Sequence, residues 1–140
     1  MKQLQYILSG IVLIFCHLTE ACPSMPAGPL TNSFYGIESV LSGTGNGFQI
    51  RRRFEDIDHT IYYRDLGGGR VESNAPANEV SCRVFNGKMA YVEDFGLPFG
   101  SSGFTNYLAV TTVQSGTVVT THYECNGSDC RANGTKEIYK

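Results

Sequence analysis

The residues best suited to chemistry in this chain are His122 and Glu124, two apart in Thr120-Thr121-His122-Tyr123-Glu124. On a strand, residues two apart share a face. A carboxylate and an imidazole on one face, with an arginine nearby, are the groups that cleave a phosphodiester by general acid–base action. The same pair also arises from simple alternation, as a partly exposed strand histidine. Asp56, Asp58 and His59 are metal-ligand types, yet their spacing matches no closed site, and a polar turn before a strand starting at Thr60 accounts for them. Gly100-Ser101-Ser102-Gly103 lacks the Gly-x-Ser-x-Gly order of a nucleophile elbow. Gly43-x-Gly45-x-Gly47 lacks the lysine and hydroxyl of a phosphate-cradling loop. No metal and no cofactor is expected, and an enzyme is less expected than a binding domain.

The start of the chain bears on where such groups would act. Lys2, the apolar run from Tyr6 to Leu18 and the small residue Ala21 form a secretory signal over residues 1–21. The run is shorter than the roughly 20 residues a bilayer-crossing helix needs, so no membrane span is expected and the mature protein is predicted to be secreted and extracellular. Beyond this signal stand four cysteines, Cys22, Cys82, Cys125 and Cys130. An even set in an oxidising compartment reads as two disulfides, with three connectivities open. Cys125 and Cys130 are close enough to close a local loop, which would leave Cys22 to tether the N-terminus to Cys82. Zinc-site spacings are missing. Asn126-Gly127-Ser128 and Asn133-Gly134-Thr135 are N-glycosylation sequons, placing Asn126 and Asn133 on an exposed tail over 126–140.

The net charge is −2, which disfavours non-specific nucleic-acid binding. Arg51-Arg52-Arg53 is followed at once by Glu55, Asp56 and Asp58, which offset it.

The elements that must position these groups read as β almost throughout: a mainly β chain, with β-rich α+β as the variant, built as an antiparallel sheet of consecutive hairpins, curved or partly closed into a barrel. Residues 22–47 are expected as an irregular lead-in, in which Thr31 to Leu41 suits a short helix or a strand; 48–125 form the antiparallel domain. Asn86-Gly87 between Glu79–Phe85 and Lys88–Phe95 fits a type I′ turn. That loop sets Phe85 opposite Lys88, Val84 opposite Met89, Cys82 opposite Tyr91 and Val80 opposite Glu93. Ser115-Gly116 similarly sets Val113 opposite Val118, Val110 opposite Thr121 and Leu108 opposite Tyr123. The Leu108, Val110, Val119 and Tyr123 face suits a core. The Tyr107, Ala109, His122 and Glu124 face suits solvent or a cavity.

Val92-Glu93-Asp94-Phe95-Gly96-Leu97-Pro98-Phe99, then Asn106-Tyr107-Leu108-Ala109-Val110, then Ser115-Gly116-Thr117-Val118-Val119 resembles, over residues 92–119, the late strands of the polyketide cyclase branch of START and Bet v 1-like helix-grip proteins. The resemblance implies a cupped sheet around a hydrophobic cavity, with Tyr91, Tyr107 and Tyr123 lining it. Three functions follow as expectations. The first is a secreted, non-enzymatic domain binding a small apolar ligand. The others are a small nuclease-like hydrolase using His122 and Glu124, and an extracellular module contacting another protein.

Overall fold

The computed structural model describes residues 21–97 and 103–140. The signal-like run lies outside them, as do Ser101 and Ser102 and the Pro98-Phe99 part of the family-like segment. Ten strands follow one another: β1 (Leu30–Phe34), β2 (Ile37–Gly43), β3 (Gly47–Phe54), β4 (Ile57–Gly67), β5 (Arg70–Ser73), β6 (Glu79–Phe85), β7 (Lys88–Asp94), β8 (Asn106–Gln114), β9 (Thr117–Asn126) and β10 (Asp129–Tyr139). They lie side by side in sequence order in one antiparallel sheet. The backbone N–H of Thr31 donates to the carbonyl of Lys140, and that of Lys140 to Thr31, at 3.2 and 3.1 Å, so β1 meets β10 and the sheet nearly closes into a barrel.

The turn chemistry sets the registers. Asn86 and Gly87 both take positive φ (50° and 82°), and Phe85–Lys88, Val84–Met89, Cys82–Tyr91 and Val80–Glu93 are paired. Ser115-Gly116 does the same for β8 and β9. The strands begin earlier and end later than expected. The lead-in over 22–47 holds β1 and β2, joined at Tyr35-Gly36 with positive φ at both residues. The tail over 126–140 is mostly β10, paired along β9 with a register shift between Ala132 and Lys136. Glycines and a sequon in that bulge hide the alternation on either side of it.

The family resemblance is overturned. No helix occurs among the described residues, and a helix-grip fold requires long helices. The matched residues are turn formers and alternating apolar positions, which any run of hairpins shares. Nor is there, among the described residues, a helix long and apolar enough to cross a membrane.

One face of the sheet turns inward. Leu41, Phe48, Ile50, Tyr63, Cys82, Tyr91, Val118 and Tyr139 pack there as the main core. Phe48 stacks on Tyr63 at 4.3 Å between centroids and meets Tyr91 edge-on at 4.9 Å, joining β3 and β4 to β7 across the interior. Gly47 is required at the end of β3, because a Cβ there would collide with the Tyr63 carbonyl oxygen. The N-terminal segment closes this end of the barrel. Cys22 and Met25 pack against the core, Cys22 is bonded to Cys82, and the N–H of Gly43 donates to Pro26.

A second cluster forms on the outer face, where Phe85, Ala90, Val92, Leu108, Val110 and Cys125 are buried with Tyr123 and Cys130 beside them. β7 pairs with β8 only over Tyr91–Asp94. In a flat sheet Phe85, opposite Lys88, would stand roughly 20 Å along the strand from the Asp94–Leu108–Tyr123 row. The Phe85 and Tyr123 rings are instead 4.8 Å apart. The β6–β7 hairpin therefore coils across the outer face of β8 and β9 and covers their apolar residues.

Candidate functional site: a charged cluster at the barrel mouth

Inward positions change character along the strands, and they do so in the same direction. β2 passes from Leu41 to Ser39, β3 from Phe48 and Ile50 to Arg52, β7 from Tyr91 to Glu93, β9 from Val118 and Thr120 to His122, and β10 from Tyr139 to Glu137. The pairings Ser39–Arg52, Thr120–Glu137 and Ala109–His122 fix these levels. The barrel is thus apolar at the end sealed by Cys22 and polar at the other.

Glu137 is the centre of the polar end. Its Oε1 accepts from Arg52 Nη2 at 2.8 Å and from the Tyr139 hydroxyl at 3.0 Å. Its Oε2 lies 3.2 Å from His122 Nε2. Arg52 also reaches the Ser39 hydroxyl through Nε and the Tyr139 hydroxyl through Nη2, both at 3.2 Å. On the far side of the imidazole, Nδ1 is 2.8 Å from the Tyr107 hydroxyl, which accepts from Asn133 Nδ2 at 3.1 Å. With neutral His122 the directions are fixed. Nε2–H donates to the carboxylate, so Nδ1 accepts from the Tyr107 O–H. The result is one continuous chain: Asn133, Tyr107, His122, Glu137, Arg52.

The two interior carboxyls are pushed apart. Burial acts to raise Glu137, but the His122 hydrogen bond, the Arg52 charge and the Tyr139 hydroxyl outweigh it and hold this carboxyl below its ordinary range. Glu93 goes the other way. Burial raises it, and the Tyr63 hydroxyl and the more distant Arg52 offset only part of that. Burial also pushes Tyr139 and Tyr91 up to about 12, so their phenols stay neutral donors at physiological pH.

A cavity of about 190 Å³ opens above this cluster, lined by Ile37, Ser39, Arg52 and Glu137. The Arg52 side chain is 35% exposed and that of Glu137 11%. Such a volume is below the roughly 300–1,000 Å³ of drug-sized sites, so it suits only a small ligand.

The structure separates residues that the sequence grouped. His122 shares its face with Glu124, yet its carboxylate partner is Glu137 on the neighbouring strand. Glu124 sits further along, level with Tyr107 on β8 and Arg131 on β10. The three tyrosines do not line one space. Tyr91 is buried in the main core, Tyr107 belongs to the polar chain, and Tyr123 packs against Phe85 on the opposite face. Asn126 borders the turn closed by the Cys125–Cys130 disulfide, and Asn133 stands at the β10 bulge. Among the described residues no group of three or more His, Cys, Asp or Glu is placed to hold a metal ion. Arg52, Glu137, Glu93 and Ser39 are the site residues that motif reading missed. The visible signal was the alternation Phe48-x-Ile50-x-Arg52, which puts an arginine in line with two core residues.

No protein-family model, curated protein or solved structure matches the chain. Fold and site together define a small, all-strand, nearly closed antiparallel barrel stapled by two disulfides.

Proposed function

We propose that this chain is a secreted binding module whose barrel mouth takes a small polar ligand against Arg52 and Glu137. The observation that carries this reading is the arginine–carboxylate pair lining a small cavity at the open, polar end of an otherwise apolar interior. A closed core gains little from such a pair, since apolar residues of equal volume serve as well or better. A cavity with a guanidinium, a carboxylate, the Ser39 hydroxyl and one apolar wall at Ile37 fits a ligand bearing both donors and acceptors, of monosaccharide or short-amide size. An apolar ligand between Tyr91, Tyr107 and Tyr123 loses its support, because those rings face different surroundings. Secretion is supported by the signal-like start and by two disulfides, which persist in oxidising compartments.

The test is a titration of ¹⁵N-labelled protein with glucose, N-acetylglucosamine and acetamide. Saturable shifts at Ser39, Arg52 and Glu137 that disappear in Arg52→Gln support the reading. No saturable shift with any of the three defeats it.

A second reading follows from the Tyr107–His122–Glu137 chain, in which a carboxylate orients an imidazole that accepts from a phenol. That order suits general acid–base chemistry delivered at the Tyr107 oxygen. Hydrolysis of a chromogenic phosphodiester, present in the native protein and lost in folded His122→Gln, would establish it; no turnover, or equal turnover in both, would remove it.

A further inference from the structure

The end of the barrel sealed by Cys22 is not wholly apolar. A cavity of about 300 Å³ lies there between the 22–27 segment and the β2–β3 turn, and its lining includes Met25, Asn46, Asp65 and Tyr91. Its walls are held in place. The Cys22–Cys82 disulfide anchors one end of the segment, and the Gly43 N–H donates to the Pro26 carbonyl at 3.1 Å near the other. The Asp65 N–H donates to the Asn46 carbonyl at 2.7 Å, which ties the β2–β3 turn to β4. The space is therefore preformed.

Two polar groups open into it. Tyr91 is 2% exposed, and its ring meets Phe48 and Tyr63 edge-on. Its hydroxyl makes no hydrogen bond among the described residues, yet it is not a sealed-off atom, so the oxygen looks into the cavity. Phenylalanine would fill the same core space; a hydroxyl there has a use only if something in the cavity meets it. Burial and the Asp65 charge push this phenol up to about 12, so it stays a neutral O–H beside an acid. Asp65 shares the inward face of β4 with Tyr63. Its Oδ1 accepts from the Gly67 N–H at 2.8 Å, and among the described residues no cation pairs with the carboxylate. The neighbouring arginines are engaged elsewhere, Arg64 with Glu72 and Arg70 with the carbonyls of Leu66 and Gly67. Asp65 is the one charged side chain in the lining among the described residues. The cavity thus presents a carboxylate, a phenol oxygen and the Asn46 amide beside an apolar wall.

We propose that this cavity is a binding site, distinct from the mouth, for a small primary amine whose ammonium meets Asp65 and the Tyr91 oxygen and whose alkyl body lies against Met25. An ammonium brings three N–H donors and a positive charge, matching the acceptors and the uncompensated carboxylate. The volume stands at the lower end of ligand sites, so the amine is a short one.

Titration of the ¹⁵N-labelled, disulfide-bonded protein with n-butylammonium chloride, at constant pH and ionic strength, tests this. It is carried into the millimolar range, where a ligand of so few atoms binds. Shifts at Asn46, Asp65 and Tyr91 should saturate, while Ser39 and Arg52 at the mouth stay unmoved. 1-Butanol and sodium butyrate, of the same length, should bind at least about tenfold more weakly. Asp65→Asn keeps an oxygen for the Gly67 N–H and should lose about tenfold or more in amine affinity. Tyr91→Phe should lose about threefold or more with an unchanged thermal midpoint, because the hydroxyl holds nothing within the protein. Absence of a saturable shift overturns the proposal, whether water or the chain's own amino group fills the space. So does amine affinity unchanged in either variant, or equal binding of the neutral or anionic analogue.

Discussion

His122 Nε2 and Glu137 Oε2 lie 3.2 Å apart across the β9–β10 ladder, one level offset from the Thr120–Glu137 pair. Through this contact His122 meets a carboxylate already holding Arg52 and Tyr139. Removing that carboxylate leaves three donors without their acceptor. Glu137→Ala is expected to cost about 2–3 kcal/mol, less than the full penalty for a deeply buried pair because Arg52 retains access to water. Urea unfolding checks the value. A loss under about 0.5 kcal/mol, the range of ordinary surface changes, would place the cluster among surface contacts.

The two interior carboxyls give opposite pH dependences. Glu137 is held below its unfolded value, so its contribution is present above that value, near pH 4.3, and fades as pH falls through the folded one. Glu93 is raised, so its contribution is present below the unfolded value and is lost as pH rises through the folded one. Glu93→Gln should therefore gain on the native protein between acidic and neutral pH. Glu137→Gln should lose most at neutral pH and converge on the native protein in acid. Unfolding free energies measured as a pH series decide both signs.

The Glu55-Asp56 turn predicts a gain in stability. Replacing it by Asn-Gly removes positive-φ strain of roughly 1–2 kcal/mol per ordinary residue, so E55N/D56G should be about 1–2 kcal/mol more stable than the native chain. Thermal unfolding of the two proteins under matched, dilute conditions is the measurement, and an unchanged midpoint would show that the turn holds no such strain.

The two disulfides should contribute unequally. Cys22–Cys82 spans a sequence separation of 60 and Cys125–Cys130 one of 5. In the chain-entropy picture these correspond to about 4 and about 2 kcal/mol. C22A/C82A also frees the segment that seals the apolar end, so it should be the more destabilised of the two double variants. Equal losses would point away from loop closure as the source of stability.

Local chemistry was readable from the sequence. Asn86-Gly87 and Ser115-Gly116 each demanded a tight turn, and a two-residue loop leaves a single register, which is why Cys82–Tyr91 and Leu108–Tyr123 were identified as pairs. The site was not readable in the same way. Arg52 and Glu137 are 85 residues apart, and only the curvature of the whole sheet brings them together. Glu137 also lies beyond the β10 bulge, where Asn133-Gly134-Thr135 interrupts the period that would have marked it as inward-facing. Tyr123 was misgrouped for a related reason. Alternation shows that two residues face opposite ways without showing that both faces are covered, and here the coiled β6–β7 hairpin covers the second.

The strict neighbour-to-neighbour order of the strands fixes how the chain can assemble. Each pairing from β1–β2 to β9–β10 joins segments adjacent in sequence, and each turn or short connection brings its own partners together at small loop-closure cost. The Thr31–Lys140 seam differs, because it joins opposite ends of the ladder through two backbone hydrogen bonds. It gains its partners only after the intervening hairpins have formed and coiled. The seam is thus the last contact in the zippering order, and the first place at which native-state hydrogen exchange should register opening.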